Sequence, residues 1–203
     1  MNKIITIGRE FGSGGRELGN LIAEKLGIAY YDKEIISAIA QKTSLAEEYV
    51  NMIMEKNPTP FFPVTVGRSF YPQGDPILKQ SNAVFIEQSN IIKEMAQKSD
   101  CVIVGRCADY ILQDMNPLRL FVYAKMEFKL ERCRKYASEN EDLSDKVLSK
   151  NILNIDKNRA RYYSFYTGNE WGAKLNYDIL INTSNTPIEK IACAIADIVK
   201  SKH

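Results

Sequence analysis

Residues Lys3–Gly19 read KIITIGREFGSGGRELG and are the part of the sequence most informative about the fold. Its first part, Lys3–Ile7, is a short β-branched run that is typical of a buried parallel strand. A turn with three closely spaced glycines follows, at Gly12, Gly14 and Gly15. The next apolar residues recur at helical spacing until Gly27, which predicts a helix that ends there. This order of strand, turn and helix favours phosphate binding, because backbone N–H groups and the positive end of a helix face the anion.

The turn does not match the P-loop pattern GxxxxGK[ST] residue by residue. Arg16 stands where the pattern places its lysine, and Glu17 stands where it places the magnesium-binding Ser or Thr. Two other interpretations stay open on the turn alone. The glycines could serve the geometry of a tight turn, or the turn could bind a dinucleotide if Asp32 supplied the acidic residue after the second strand.

Strand-like runs alternate with helical patterns along the rest of the chain. The strands are expected at 28–31, 101–105, 118–124 and 177–182, and the helices at 33–41, 44–54, 81–98, 126–137, 143–166 and from Pro187 onward. Ser44 is the expected N-cap of the helix that follows it. Such alternation predicts a single α/β domain over residues 1–203, with helices on both faces of a parallel sheet.

The segment that begins at Asn57 and reads NPTPFFPVTVGRSFYPQGDP holds five of the chain's seven prolines. Proline removes a backbone donor, so this segment cannot form a long helix or a central strand. It is expected to be a long irregular loop. Long loops in compact domains often bind ligands, and a plain solvated loop is the alternative.

Composition and charge exclude several classes of protein. The chain has 203 residues, with 27 Lys and Arg against 25 Asp and Glu and a formal net charge of +2, so we expect no nucleic-acid partner. No apolar run approaches the roughly 20 residues of a membrane helix. Met1 leads directly into the first strand, so we expect no membrane association and a cytoplasmic location.

The cysteine and histidine residues argue against several catalytic mechanisms and metal sites. The four cysteines form no CxxC pair, which argues against a zinc site. The only histidine is His203, at a chain end where side chains are rarely fixed. We therefore expect neither Ser-His-Asp nor Cys-His catalysis, and no metal bound by histidine.

Several short segments follow one another in a specific order, namely ITIGREFGSGGRELG, IAYYD, VIVGRCADYIL, LRLFVYA, IDKNRA and YDILINTS. In this order the chain resembles the cytidylate kinase family, and in particular its cytidylate kinase-like branch. The resemblance covers nearly the whole chain and is weakest from about Thr43 to Gln80. It implies a P-loop NTPase fold: a parallel five-stranded sheet flanked by helices, an inserted acceptor-binding region at about 43–80, and a helical lid at about 140–172.

The resemblance also implies an activity and its partners. Members of the family transfer the γ-phosphoryl group of ATP to CMP or dCMP with Mg²⁺, so the expected partners are small nucleotides. A homo-oligomer stays open as well, since the exposed aromatic residues of the proline-rich segment could contact either a nucleobase or a second chain.

By position, the resemblance assigns a role to each part of the site. The ATP phosphates would lie on the turn, against Gly12, Ser13, Gly14, Gly15, Arg16 and Glu17. Arg16 and Asp32 would take part in catalysis, with Asp32 near the acceptor phosphate and the metal. Arg106 matches the arginine of the family's GRD motif and would contact the nucleoside monophosphate. The family's D-R-N-R-A lid motif reads DKNRA here, so three cations would close over the phosphoryl group: Lys157, Arg159 and Arg161.

The sequence departs from the family pattern in ways that bear on the substrate. Cys107 replaces the aspartate of GRD that helps to recognise the pyrimidine, and Asp109 on the same turn is the expected substitute. Arg68, in the proline-rich segment, is a further candidate ligand of the acceptor phosphate. Together with Arg16 and Glu17, these departures leave two alternatives: a kinase of another small acceptor, or a catalytically weak nucleotide-binding regulatory module.

Overall fold

The computed structural model describes residues 2–55, 76–137 and 144–201. Its central sheet has five parallel strands in the order β2-β3-β1-β4-β5. The strands are β1 (Ile4–Arg9), β2 (Ala29–Tyr31), β3 (Cys101–Val104), β4 (Leu118–Tyr123) and β5 (Ile179–Asn182). The predicted parallel five-stranded sheet is therefore confirmed.

Eight α-helices of the described residues flank this sheet. They are α1 (Gly15–Leu26), α2 (Lys33–Thr43), α3 (Glu47–Glu55), α4 (Pro76–Lys98), α5 (Ala108–Ile111), α6 (Met126–Tyr136), α7 (Asp145–Thr167) and α8 (Ile188–Ser201). No helix in these ranges is both long and apolar enough to cross a membrane.

The alternating side chains of β1 pack into two cores on opposite faces of the sheet. Ile5 and Ile7 lie in the core that α1 and α8 cover. Ile4 lies in the other core, which residues of α2, α4, α5 and α7 complete, and there Tyr162 of α7 is buried. Since each fully buried Ile or Leu contributes roughly 1.5–3 kcal/mol, these two cores fix the layers of the fold. They also attach α7 to the body of the protein.

Strand β1 continues beyond the predicted end at Ile7, through Gly8 and Arg9. Gly8 pairs with Phe121 and Arg9 with Val122, so the chain stays extended. A Cβ atom at Gly8 would lie 2.8 Å from Phe121 Cδ2, which explains why a glycine is needed in this part of the strand. The extension brings the side chain of Arg9 to the carboxyl end of the sheet.

Two predicted helix starts differ from the structure. Ser44 does not cap α3; it ends α2 in the left-handed conformation (φ 54), with its N–H bonded to Ala40 O. The first bonds of the next helix go to Ala46 O instead. Helix α4 begins at Pro76 rather than Ser81, because proline suits the first helical position, where no N–H bond is lost. The rest of the proline-rich segment, residues 56–75, lies outside the described residues.

All five strands end at one edge of the sheet, since all are parallel. The chain leaves β1 for β2 on one side, and later crosses from β3 to β4 on the other side of β1. In open α/β sheets this switch point forms a crevice in which ligands bind. The glycine-rich turn lies there, directly after β1.

Candidate active site

The glycine-rich turn presents backbone N–H groups at the start of α1. The helix begins at Gly15, with Gly14 as its N-cap in the left-handed conformation (φ 82). Its first intrahelical hydrogen bond runs from Leu18 N to Gly14 O, so the N–H groups of Gly15, Arg16 and Glu17 precede it. Such N–H groups and the helix dipole attract anions. This geometry suits the phosphate-binding role predicted for the turn.

Two hydroxyl groups brace the turn from within the protein. Thr183, directly after β5, donates its hydroxyl to Ser13 O at 2.7 Å. Ser13 is fully buried, and its own hydroxyl donates to Glu10 O at 2.8 Å. The side chain of Ser13 is therefore used inside the turn and is not available to a ligand.

Three consecutive residues after β3 have left-handed backbone conformations: Gly105 (φ 74), Arg106 (φ 60) and Cys107 (φ 54). This conformation costs a residue with a Cβ atom roughly 1–2 kcal/mol, so the surroundings must stabilise it. Gln88 of α4, which is fully buried, donates its Nε2 group to Arg106 O at 2.9 Å. Strained backbone of this kind is typical of ligand sites, and here it sets the position of Arg106.

Asp32, directly after β2 and buried, lies among arginines that come from distant parts of the chain. Arg16 Nε is 2.5 Å from Asp32 Oδ2, and Arg9 Nη2 is 3.7 Å from Asp32 Oδ1. Arg159 of α7 donates to Arg9 O at 3.2 Å. Arg106 is also close enough to act electrostatically on Arg9. We call Arg9, Arg16, Arg106 and Arg159 the arginine cluster.

The arginine cluster carries more positive charge than Asp32 balances. Burial and the charges of Arg159 and Arg106 lower the pKa of Arg9 to about 9, while Asp32 opposes this shift. Like charges held together at a site with little solvent are stabilised when an anion binds between them. The cluster is therefore suited to a ligand that carries several negative charges.

Three cavities meet at the arginine cluster. The turn pocket, about 590 Å³, lies between the glycine turn, α6 and α7. The α2–α3 pocket, about 250 Å³, is lined by residues of those helices, including Lys33, Glu47, Glu48 and Asn51. A central pocket of about 70 Å³ lies between them. Arg16 lines all three cavities.

Glu17 does not face the turn pocket as a free carboxylate. Its Oε2 atom is 2.7 Å from Arg132 Nη2 of α6. Arg132 also lies over the rings of Phe128 and Tyr136, with its Cζ atom 5.8 Å and 5.3 Å from their centres. A carboxylate at this position would repel phosphates, so Arg132 neutralises a charge that would otherwise oppose the predicted ligand.

Asp109, the residue expected to recognise the base, and Cys107, which replaces the family's aspartate, are both enclosed. Asp109 is buried and accepts a hydrogen bond from the Tyr163 hydroxyl at 2.6 Å. Burial raises the pKa of Asp109, while the Tyr163 hydrogen bond opposes this shift. Burial also raises the pKa of the Cys107 thiol, which therefore stays neutral. Both side chains line the central pocket.

The predicted lid cations differ in their placement. Arg159 lines the turn pocket and the central pocket. Lys157 and Arg161 are exposed on α7 and line none of the three cavities. Arg68 lies outside the described residues. The structure thus brings Arg16, Asp32, Arg106 and Arg159 together and leaves Lys157 and Arg161 apart from them.

Comparison with known proteins decides the family. A family model described as "Cytidylate kinase-like family" matches residues 4–185, a range that spans the turn, the arginine cluster and α7. The chain belongs to the cytidylate kinase-like family. The resemblance seen in the sequence is therefore confirmed. A comparison with curated protein sequences found no match.

Solved structures agree with this family's fold. The crystal structure of an uncharacterized protein from Eubacterium ventriosum ATCC 27560 is 27% identical, with a TM-score of 0.71, and the match covers 98% of this chain and 99% of that chain. Shikimate kinase from Bacteroides thetaiotaomicron is 14% identical, with a TM-score of 0.57 and the same coverage of 98% and 99%. A gluconokinase from Sinorhizobium meliloti 1021 is 11% identical, with a TM-score of 0.52, covering 99% of this chain and 97% of that one. This cytidylate kinase-like chain has the fold of P-loop kinases, as predicted.

Three polar or charged residues in or next to the site of this cytidylate kinase-like protein were not predicted from the sequence: Arg9, Lys129 and Gln88. The sequence does contain an indication that Arg9 belongs to the site, since it is a charged residue between an apolar strand and a glycine turn. The sequence contains no such indication for Lys129, because it lies in a helix with many other basic residues. Gln88 is polar at a position fully buried by tertiary packing, which its own helix pattern does not reveal.

Proposed function

We propose that the protein is an ATP-dependent phosphotransferase that transfers the γ-phosphoryl group to a nucleoside monophosphate, with CMP or dCMP as the acceptor. One observation carries the proposal: the arginine cluster lies where the turn pocket and the α2–α3 pocket meet. Phosphoryl transfer needs two substrates in line, with positive charge around the group that moves.

The donor would bind on the side of the glycine turn. The N–H groups of Gly15, Arg16 and Glu17 would bind its phosphates, and Arg132 removes the repulsion by Glu17. The nucleoside would extend into the turn pocket between α6 and α7. This arrangement supports ATP binding without the usual P-loop lysine, because Arg16 and Arg9 supply charge next to the turn.

The acceptor would bind on the side of α2 and α3, and of these two helices α3 belongs to the region predicted to receive it. Arg106 and Lys33 line that pocket and would bind the acceptor phosphate, while Glu47, Glu48 and Asn51 line it with oxygen and nitrogen groups. Arg16 and Arg159 would neutralise the phosphoryl group in transit. Helix α7 would help to keep water away, and its exposed cations Lys157 and Arg161 remain predictions for the closed enzyme.

Magnesium would accompany ATP. In the described ranges no three His, Cys, Asp or Glu side chains are grouped so that they could bind a metal ion by themselves. Mg²⁺ usually takes one or two carboxylates together with substrate phosphates. Asp32 Oδ1 fits this role, since it is buried and accepts no hydrogen bond from the described residues. When bound, Mg²⁺ would neutralise charge on the β- and γ-phosphates.

A second candidate is a kinase of a small hydroxyl-bearing acceptor. The position at which the family carries its pyrimidine-recognising aspartate holds the neutral thiol of Cys107, and Asp109 is bonded to Tyr163. The α2–α3 pocket is also small, at about 250 Å³. Shikimate kinase and gluconokinase, which share this fold, are named for small acceptors of that kind.

The deciding experiment is ADP release from MgATP with a panel of acceptors: CMP, dCMP, UMP, AMP, shikimate and gluconate. We expect turnover with CMP or dCMP, and a loss of kcat/KM of about a hundredfold in Arg106→Ala, comparable to losing one donor to a transition-state oxyanion. Arg119→Ala is the matched control, since Arg119 pairs with Asp178 and lines none of the three cavities.

Each outcome selects one hypothesis. Turnover with shikimate or gluconate alone would replace the nucleotide acceptor by a hydroxyl acceptor. ATP binding without turnover on any acceptor would contradict both kinase proposals and favour a nucleotide-binding regulatory module.

A further inference from the structure

Lys129 of α6 is a buried lysine next to the glycine turn, and no other lysine in residues 2–55, 76–137 and 144–201 is buried. Its Nζ atom lies 2.7 Å from Glu10 Oε2 and 3.1 Å from Asp156 Oδ2. A buried ammonium group is tolerated only when it is paired and hydrogen-bonded. The two carboxylates therefore hold Lys129 between the turn and α7.

Each of these carboxylates also accepts a hydrogen bond from the backbone. Asp156 Oδ1 accepts the N–H of Phe11, inside the turn, at 2.6 Å. Glu10 Oε2 accepts the N–H of Ala124, just after β4, at 3.2 Å. The ammonium group of Lys129 thus joins the turn, the end of β4 and helix α7 into one unit.

This unit extends to the arginine cluster. Asp156 Oδ1 lies 3.8 Å from Arg159 Nη1, and that group donates to Arg9 O. Without the charge of Lys129, the carboxylates of Glu10 and Asp156 would lose the cation that separates them, and they would repel each other. Since Asp156 contacts both Phe11 and Arg159, the turn and Arg159 would move with it.

The geometry points to Lys129 as a positioning residue: through Glu10 and Asp156 it sets the glycine turn and Arg159 for the phosphates of ATP. This inference rests on the proposed function. Lys129 lines none of the three cavities, so it acts through its neighbours and not by contact with the nucleotide. Its contacts lie on the donor side, so its loss affects ATP and not the acceptor.

The test compares Lys129→Met, which removes the charge, with Lys129→Arg, which keeps it. Lys125→Met is the matched control, since Lys125 is exposed and lies about one helical turn before Lys129. The kinetic measurements are kcat and the KM values for ATP and for the acceptor, and calorimetry gives the affinity for ATP. We expect Lys129→Met to raise the KM for ATP about tenfold or more, with the acceptor KM within about twofold and most of the loss recovered in Lys129→Arg.

A folded Lys129→Met protein with the wild-type KM and affinity for ATP would overturn the inference. So would equal losses for ATP and acceptor that Lys129→Arg does not recover. If Lys129→Met does not fold, Asp156→Asn takes its place, because it keeps an oxygen for the Phe11 N–H but removes the charge; the same rise in KM for ATP is expected. If the wild-type protein phosphorylates no acceptor, the proposed function fails, and the ATP affinities of the variants still decide the role of Lys129.

Discussion

At the scale of single residues, Gly105 decides where the guanidinium group of Arg9 can lie. A Cβ atom at Gly105 would overlap Arg9 Nη1 and Cζ, and the residue has a left-handed backbone (φ 74). The arginine cluster therefore depends on the absence of one side chain. Glycine serves two purposes here, backbone conformation and close approach, and they can be separated by experiment.

We predict that Gly105→Ala lowers kcat/KM by about a hundredfold, because it displaces Arg9 from the cluster and misplaces the groups around the phosphoryl group. It should also lower the free energy of unfolding by roughly 1–2 kcal/mol through the left-handed backbone alone. Kinetics of ADP release and urea unfolding measure the two effects.

Gly168→Ala is the matched control for this prediction. Gly168 ends α7 with nearly the same backbone angle (φ 71), and a Cβ atom added there would meet open space, with no neighbouring group within 4 Å. The variant should lose a similar roughly 1–2 kcal/mol of stability but keep its activity. Equal activity losses in both variants would show that the backbone conformation, and not the position of Arg9, is responsible.

At the scale of elements, α4 supports the strained turn after β3 through one side chain. Gln88 donates to Arg106 O at 2.9 Å and accepts a hydrogen bond from the Tyr162 hydroxyl of α7 at 3.3 Å. It is fully buried. One amide thus connects α4, α7 and the backbone that carries Arg106.

We predict that Gln88→Met, which keeps the size of the side chain, lowers the free energy of unfolding by about 1–3 kcal/mol, because a buried carbonyl and a buried hydroxyl lose their partner. It should also lower kcat/KM, since Arg106 loses its support. Gln97→Met is the control on the exposed face of the same helix and should change neither quantity. Wild-type stability in Gln88→Met would show that these hydrogen bonds do not support the turn.

At the scale of the whole molecule, the net charge conceals a strong local concentration of positive charge. The chain carries only +2 overall. Four guanidinium groups nevertheless meet at the central pocket, and two of them, from Arg9 and Arg16, pair with the buried carboxylate of Asp32. Their mutual repulsion opposes folding until an anion binds.

We predict that tripolyphosphate raises the melting temperature more than chloride at equal ionic strength. At a hundred times its Kd, a ligand that binds only the folded state stabilises it by about 2.7 kcal/mol. Thermal unfolding with each salt measures this effect, which should shrink in Arg106→Ala and persist in Arg119→Ala. The same shift with both salts would mean that the cluster is not an anion site.

Local sequence patterns were sufficient to predict the fold and the edge of the sheet at which a ligand is proposed to bind. Strand, glycine turn and helix follow from local preferences, and alternation of strands with helices requires parallel strands whose carboxyl ends share one edge. Element ends were less certain: the sequence placed the end of β1 at Ile7, whereas pairing with β4 carries the strand to Arg9. The prediction that Ser44 is an N-cap was wrong, because several nearby residues could begin the helix and Ser44 ends α2 instead.

Which charged residues meet depends on the packing of distant parts of the chain. Arg9, Arg106 and Arg159 lie far apart in the chain and come together because two strand ends and one long helix meet at the central pocket. Lys129 resembles any other basic residue of an exposed helix until packing buries it between Glu10 and Asp156. Local periodicity shows which face of a helix or strand is apolar. The partner of a charged residue depends instead on distances between parts of the fold that are far apart in the chain, and no local pattern encodes those distances.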